Sequence, residues 1–273
     1  MDVYEHNREA WDARVREKKR HTSVATEEDF RNPLLALDRI GWLPQPIAGK
    51  RVLCLASGGG RQGPLFAAIG AITTVVDISP AMLEQDHAVA QQRGLKLETL
   101  AASMDDLSQL ETASFDVVVQ PVSTCYVPDI RKVYREVARV TKPAGMYMSK
   151  HKQPLNLQAT LKPSPYGYVV QEEYYRQGPL PEAPPSVHRE AGTLEFVHRW
   201  GDMLGGLCRA GFLIEDVMEP RYTEKDAPHG SFGHRSAFIP PYIEIKARRL
   251  ETKVDDGPKL WTPQMGLDAL RNL

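Results

Sequence analysis

Residues 51–63, RVLCLASGGGRQG, decide the fold. RVLCLA (51–56) is a short apolar run that breaks off in glycines, the pattern of a buried parallel strand ending in a tight turn. Glycines there let the backbone turn sharply and approach a ligand with no Cβ in the way. The next segment, about Gly60 to Ile69, is predicted to be a helix, directing its free N–H groups at whatever sits above the strand ends. TTVVD (73–77) is β-branched and reads as a second strand. It ends in Asp77, 19 residues after Gly58. An acidic side chain at that place accepts hydrogen bonds from both ribose hydroxyls of an adenosine ligand.

The alternation runs on in both directions. Pro80 opens a helix that Gly94 stops. LKLETLA (95–101) is a third strand, FDVVVQ (115–120) a fourth, IRKVYREVARV (130–140) an amphipathic helix and GMYMSK (145–150) a fifth strand. Upstream, residues 3–19 and about 27–40 read as two helices. Residues 152–192 break the pattern with prolines and four tyrosines, Tyr166, Tyr168, Tyr174 and Tyr175. A long irregular stretch of this kind is functional or disordered. A helix over 194–211 and strands over 212–219 and 237–248 complete the reading. The expected fold is α/β, a doubly wound, seven-stranded, mostly parallel sheet. Its expected parts are an N-terminal helical cap (1–49), a Rossmann-like core (50–151), an insertion after strand five (152–192), the C-terminal part of the core (193–250) and a tail (251–273).

The totals narrow the function. A chain of 273 residues buries one sizeable α/β core. Net charge is −1, and the one basic stretch, Arg14 to Arg20, is interrupted by Val15 and Glu17, so no nucleic-acid partner is expected. Cys54, Cys125 and Cys208 are scattered and odd in number, which fits a reducing compartment and suggests neither disulfides nor zinc. No apolar run nears the roughly 20 residues of a membrane span, and the N-terminus lacks a secretory pattern. A cytoplasmic location is expected. No ligand-spaced His/Asp cluster is evident, so no metal is expected.

Residues 51 to about 150 resemble the class I, Rossmann-like S-adenosylmethionine-dependent methyltransferases of the type-11 group. RVLCLASGGGRQG is similar to their first motif, VVDISPAML to the second, ASMDDL with SFDVVV to the adenine-side loop and fourth strand, and VPDIRKVYREVARVTKPAG to the helix and turn that follow. An N-terminal NRxxWD element, here Asn7, Arg8, Trp11 and Asp12, also resembles that of a bacterial subgroup. The resemblance implies S-adenosyl-L-methionine as cofactor. It implies contacts from Ala56, Ser57, Gly58 and Gly60 in the glycine turn, and from Asp77, Ile78 and Met82 after the second strand. Ser103, Met104, Asp105 and Gln120 are implied on the adenine side. Two departures stand out. Cys54 occupies the place of the usual motif-I acid, and Ala102-Ser103-Met104 replaces the usual Gly-Asp-Ala.

Methyl transfer from a sulfonium is a direct displacement that needs alignment and exclusion of water. A base is needed only where the acceptor must lose a proton. Acceptor contacts are expected from Tyr126 and Trp11, from Tyr174 of the insertion and from Arg199. His151 and His198 are the base candidates, the latter through the resemblance of His198–Phe212 to the HRxxxxxLxxLxxAGF helix of small-molecule enzymes. The function implied is methyl transfer to an O, N or S atom of a small molecule. Two alternatives stay open. The GxGxxG spacing also serves a dinucleotide-dependent oxidoreductase, and the two departures leave room for a non-catalytic adenosine-binding module.

Overall fold

Val52, Leu53, Cys54 and Leu55 are wholly buried, as a strand covered by helices on both faces must be. They form strand β1 (Arg51–Leu55) at the centre of the fold. The computed structural model describes residues 2–251. Beside β1 lie β2 (Ile72–Asp77) and β3 (Glu98–Ala101) on one side, and β4 (Phe115–Gln120) and β5 (Thr141–Lys152) on the other, all parallel. Strand β7 (Tyr242–Arg249) runs antiparallel between β5 and β6 (Phe212–Met218). The order β3-β2-β1-β4-β5-β7-β6 is thus a seven-stranded, mostly parallel sheet. It reverses direction between β1 and β4, and such sheets bind ligands at the carboxyl ends of the strands flanking that point.

Two apolar layers sandwich the sheet. One packs Val133, Tyr134 and Val137 of α6 (Ile130–Val140) with Met203 and Leu207 of α8 (Trp200–Arg209) against Leu53, Val118 and Tyr147. The other packs Phe66 of α4 (Gln62–Ala68) and Leu83 of α5 (Pro80–Arg93) against Val52, Cys54 and Val75.

Several element ends differ from the sequence reading, each for a local reason. The helix expected over 3–19 is α1 (Val3–Arg16), because Lys18 and His21 take left-handed backbone angles (φ 52 and 70). The helix expected over 27–40 is two, α2 (Glu27–Arg31) and α3 (Pro33–Leu37), since Pro33 cannot continue the first and Asn32 caps the second. Residues 194–199 are not helical, and α8 starts at Trp200. Their backbone groups go to tertiary partners instead: Leu194 bonds the side chain of Asn7, and the Phe196 amide donates to the Cys125 carbonyl. The last strand begins at Tyr242, just past Pro240 and Pro241, which have no N–H to give the ladder. The insertion adds α7 (Pro154–Gln158) to an otherwise irregular path, and α9 (Phe232–Ser236) lies in the β6–β7 connection. Of the expected tail, residues 252–273 lie outside the described part.

Candidate active site

The glycine turn is held by two carboxylates. The Gly58 amide donates to Asp77 Oδ2 at 2.9 Å, and the Gly59 amide donates to Asp86 Oδ2 at 2.9 Å. Asp77 ends β2 and also receives the Ser79 amide at 3.0 Å. Burial pushes its carboxyl up to about 6 against the pull of these donors. Asp86 comes from α5 and is fully buried, and burial pushes it up to about 7. This second carboxylate lies near Cys54, and together with burial it raises the thiol well above its ordinary range. A carboxyl group is thus delivered from α5 to the glycine turn of a chain that lacks one at position 54. Ser57 Oγ is buried on the floor of the turn and among the described residues has no hydrogen-bond partner within ordinary distance.

Above the turn opens a cavity of about 650 Å³. Ala56, Ser57, Gly58, Asp77, Ile78, Met82, Ser103 and Met104 line one end. Tyr126, Lys150, Lys152, Glu190, Tyr222, Phe232 and Tyr242 line the other, with Trp11 and His21 in the roof.

The roof is held at four points. Asn7, buried on α1, donates to the Tyr126 carbonyl at 2.9 Å and exchanges hydrogen bonds with the Leu194 backbone. Trp11 meets the Tyr126 ring edge to face, with centroids 5.6 Å apart. Asp12 accepts from the Ser79 hydroxyl and the Ala81 amide, so α1 supplies an anion to the N-terminus of α5. Tyr4 donates to Asp105 Oδ2 at 2.6 Å.

The far wall contains a buried ion cluster. Lys152 donates to Glu190 and Glu195, Arg189 donates to Glu195, and Tyr126 donates to Glu190 Oε2 at 2.8 Å. Burial opposes the charge on Lys152, but the two carboxylates outweigh it and hold the ammonium above its ordinary pKa. Burial likewise works against Glu190, yet Lys152, Tyr126 and His21 hold its carboxyl below the usual range.

Known proteins resemble this chain over most of its length. A methyltransferase-domain family model matches residues 53–149. An uncharacterized methyltransferase of Bacillus subtilis, YbaJ, is 36% identical over 239 residues, 79% of this chain and 90% of the relative. The chain belongs to the S-adenosylmethionine-dependent methyltransferase family. A ubiquinone biosynthesis O-methyltransferase of Xanthomonas oryzae is 29% identical over 135 residues, about half of each protein (50% and 52%). Among solved structures, methyltransferases of Mesorhizobium loti and Listeria monocytogenes share the fold. They have TM-scores of 0.60 and 0.61 at 24% and 18% identity, covering 81% and 82% of this chain and 100% and 99% of theirs.

In this methyltransferase the sequence-derived residues fall into three groups. Ala56, Ser57, Gly58, Asp77, Ile78, Met82, Ser103, Met104, Tyr126 and Trp11 share the cleft. Gly60, Asp105 and Gln120 stand behind it. A Cβ on Gly60 would meet the Gln85 carbonyl at 2.9 Å, Asp105 ties Ser103 to Tyr4, and Gln120 donates to Ser123 and Met104. His151, His198, Arg199 and Tyr174 lie elsewhere. His151 is buried between Thr124 and Ser149, and burial pushes it down to about 3. His198 bonds the Thr124 carbonyl, Arg199 pairs with Asp202, and the Tyr174 hydroxyl accepts from the Trp200 amide, all three bordering a separate small surface pocket.

Sequence reasoning missed Lys150, Lys152, His21, Glu190, Tyr222, Phe232 and Tyr242. For the lysines a signal was present: in SKHK (149–152) side chains alternate across the strand, so a buried His151 implies that its neighbours face the other way. For the others, contributed by separate loops and strands, the sequence carries no local signal.

Proposed function

We propose that this methyltransferase transfers the methyl group of S-adenosylmethionine to an O, N or S atom of a small molecule held at the Tyr126–Tyr242 end of the cleft. One observation carries the reading: the glycine turn with Asp77 and the aromatic, lysine-bearing wall line one continuous cavity. Asp77 offers a carboxylate to the ribose hydroxyls, and Ser57 Oγ, without a partner among the described residues, suits a polar group of the methionine portion. Ile78, Met82 and Met104 supply apolar surface for the adenosine. The roof of α1 and the wall at Glu190 exclude water from the sulfonium and restrict the acceptor to a small one. The Xanthomonas relative, an O-methyltransferase by name, supports a small-molecule acceptor.

Calorimetric titration tests the cofactor half. S-adenosylmethionine and S-adenosylhomocysteine bind and NAD does not; binding of NAD in their place would sink the reading. Turnover of labelled methyl donor against a metabolite pool tests the acceptor half, and label found only in protein or nucleic acid would refute it.

A further inference from the structure

Among the residues lining the cavity His21 alone carries an imidazole, and its setting is unusual. Its backbone is left-handed, with φ 70, a conformation that costs free energy for a residue other than glycine and collects at functional sites. Its Nε2 lies 3.6 Å from Glu190 Oε1, and among the described residues it makes no hydrogen bond. The other Glu190 oxygen is already taken by Tyr126 and Lys152, so Oε1 is the oxygen left to face the ring. Such contacts are often long in the absence of substrate and tighten in the reactive complex.

We propose that His21 is the general base of this methyltransferase, oriented by Glu190, and that the acceptor is a planar aromatic molecule methylated on a hydroxyl. The inference rests on the cofactor reading given above. The wall beside His21 is a chain of aromatic edges. Tyr222 meets Phe232 at 5.7 Å and Tyr242 at 5.5 Å, both nearly perpendicular, and the Lys150 ammonium stands 5.3 and 5.1 Å from the Tyr222 and Tyr242 ring centres. Offset and edge-to-face contacts of this kind favour a flat ring as guest.

The groups packed around Glu190 are poor bases. Lys152 is held protonated, Glu190 is held ionised and therefore weakly basic, and the Tyr126 hydroxyl is held protonated by burial and by Glu190. His21 faces Glu190 against Arg20, Lys152 and Arg14. Burial first, then these three cations, lower its pKa more than the carboxylate raises it, which favours the neutral ring. With Nε2–H directed at Glu190, Nδ1 takes the hydroxyl proton. The acceptor oxygen's electron pair forms the O–CH₃ bond, and the pair of the broken C–S bond stays on sulfur. The products are a methyl ether, S-adenosylhomocysteine and a protonated His21, which returns its proton to solvent through its half-exposed edge.

The test uses the S-adenosylhomocysteine complex and 4-nitrocatechol, whose phenolate absorbs visible light. At about one pH unit below the free probe's ionisation, binding to the wild type should raise the phenolate absorbance, with an ionised fraction at least about threefold above that in His21→Asn or His21→Gln. Asn tolerates left-handed backbone, so His21→Asn keeps the fold. Glu190→Gln should lower the midpoint of His21 ring titration followed by NMR. S-adenosylhomocysteine failing to bind the wild type would refute the cofactor reading. S-adenosylhomocysteine bound, but 4-nitrocatechol unbound or equally ionised in wild type and variants, would overturn the base. An unmoved midpoint would remove Glu190 from the pair.

Discussion

Asn7 and Leu194, 187 positions apart, pair like neighbours on adjacent strands: the Leu194 amide donates to Asn7 Oδ1 at 2.8 Å and Asn7 Nδ2 donates to the Leu194 carbonyl at 3.1 Å. The same Nδ2 donates to the Tyr126 carbonyl, so one buried amide joins α1 to both halves of the acceptor wall. In Asn7→Ala these backbone groups lose their partner and stay buried. The loss should be about 1–3 kcal/mol, which lowers Tm by roughly 2–12 °C in a domain of this size. A thermal melt reads it directly, and an unchanged Tm would mean water replaces the side chain.

Asp77→Ala should weaken S-adenosylhomocysteine binding by roughly 10- to 150-fold, the equivalent of about 1.5–3 kcal/mol for a charged acceptor. Calorimetry on a folded variant checks it. A normal affinity would take Asp77 out of the site.

The same carboxylate predicts a pH dependence. Its folded pKa, about 6, is raised above that of the unfolded chain. Its stabilising effect is therefore fully present below the unfolded value and is lost as pH rises through about 6. Cofactor binding has the opposite sign, since the ionised form is the one that accepts from ribose hydroxyls. Affinity should fall roughly tenfold per pH unit below about 6. Asp77→Asn should flatten that slope, and a wild-type slope retained in the variant would assign it to another group, with Asp86 the first candidate.

The two glycines should fail differently. A Cβ at Gly58 would meet Met82 Cβ at 2.8 Å and press on Asp77 at 3.1 Å, beside the cofactor floor. At Gly60 it would meet the Gln85 carbonyl at 2.9 Å, in a left-handed backbone with φ 71, pointing away from the cleft. Gly58→Ala should therefore cost more than about tenfold in S-adenosylhomocysteine affinity with a small change in Tm, whereas Gly60→Ala should mainly lower stability, by about 1–2 kcal/mol for the backbone angle alone, read as a fall in Tm. Equal effects on binding and Tm in both variants would contradict the assignment.

What the sequence disclosed follows from how far each signal reaches. β1, the glycine turn and Asp77 lie within 27 residues and obey local rules of strand, turn and cap, so their placement was legible. The Asp86 contact was not, because it depends on which face of α5 meets the turn. His151 and His198 looked like cleft residues from their positions near strand and helix ends. Side-chain alternation along β5 turns His151 into the core, and α8 begins only at Trp200, which leaves His198 bonded to the Thr124 carbonyl. Tyr174 of the insertion was expected at the acceptor, yet its hydroxyl accepts from the Trp200 amide beside the separate pocket, while Tyr166 is 98% exposed and Tyr168 packs on His234 and Phe238. The aromatic wall comes instead from β7, α9 and the segment before it, where no periodic pattern marks it.

Lys152 gives the sharpest test of the acceptor wall. It is 5% exposed and lies between Glu190 and Glu195. Lys152→Met keeps the volume but leaves two buried carboxylates with only Arg189 on Glu195 and Tyr126 and His21 on Glu190. Breaking such a cluster by removing one partner should cost about 3–5 kcal/mol. The sign with pH follows from Glu190. In the wild type its pKa is depressed, so its stabilising contribution is present above the unfolded pKa and fades as pH falls through the folded one. In the variant an unneutralised buried carboxylate has a raised pKa, and its stability falls as pH rises instead. The gap in Tm between wild type and Lys152→Met should therefore be wider at pH 8 than at pH 5. An equal gap at both would mean that the carboxylates find other cations when the lysine is gone, and that the wall does not depend on this residue for its charge.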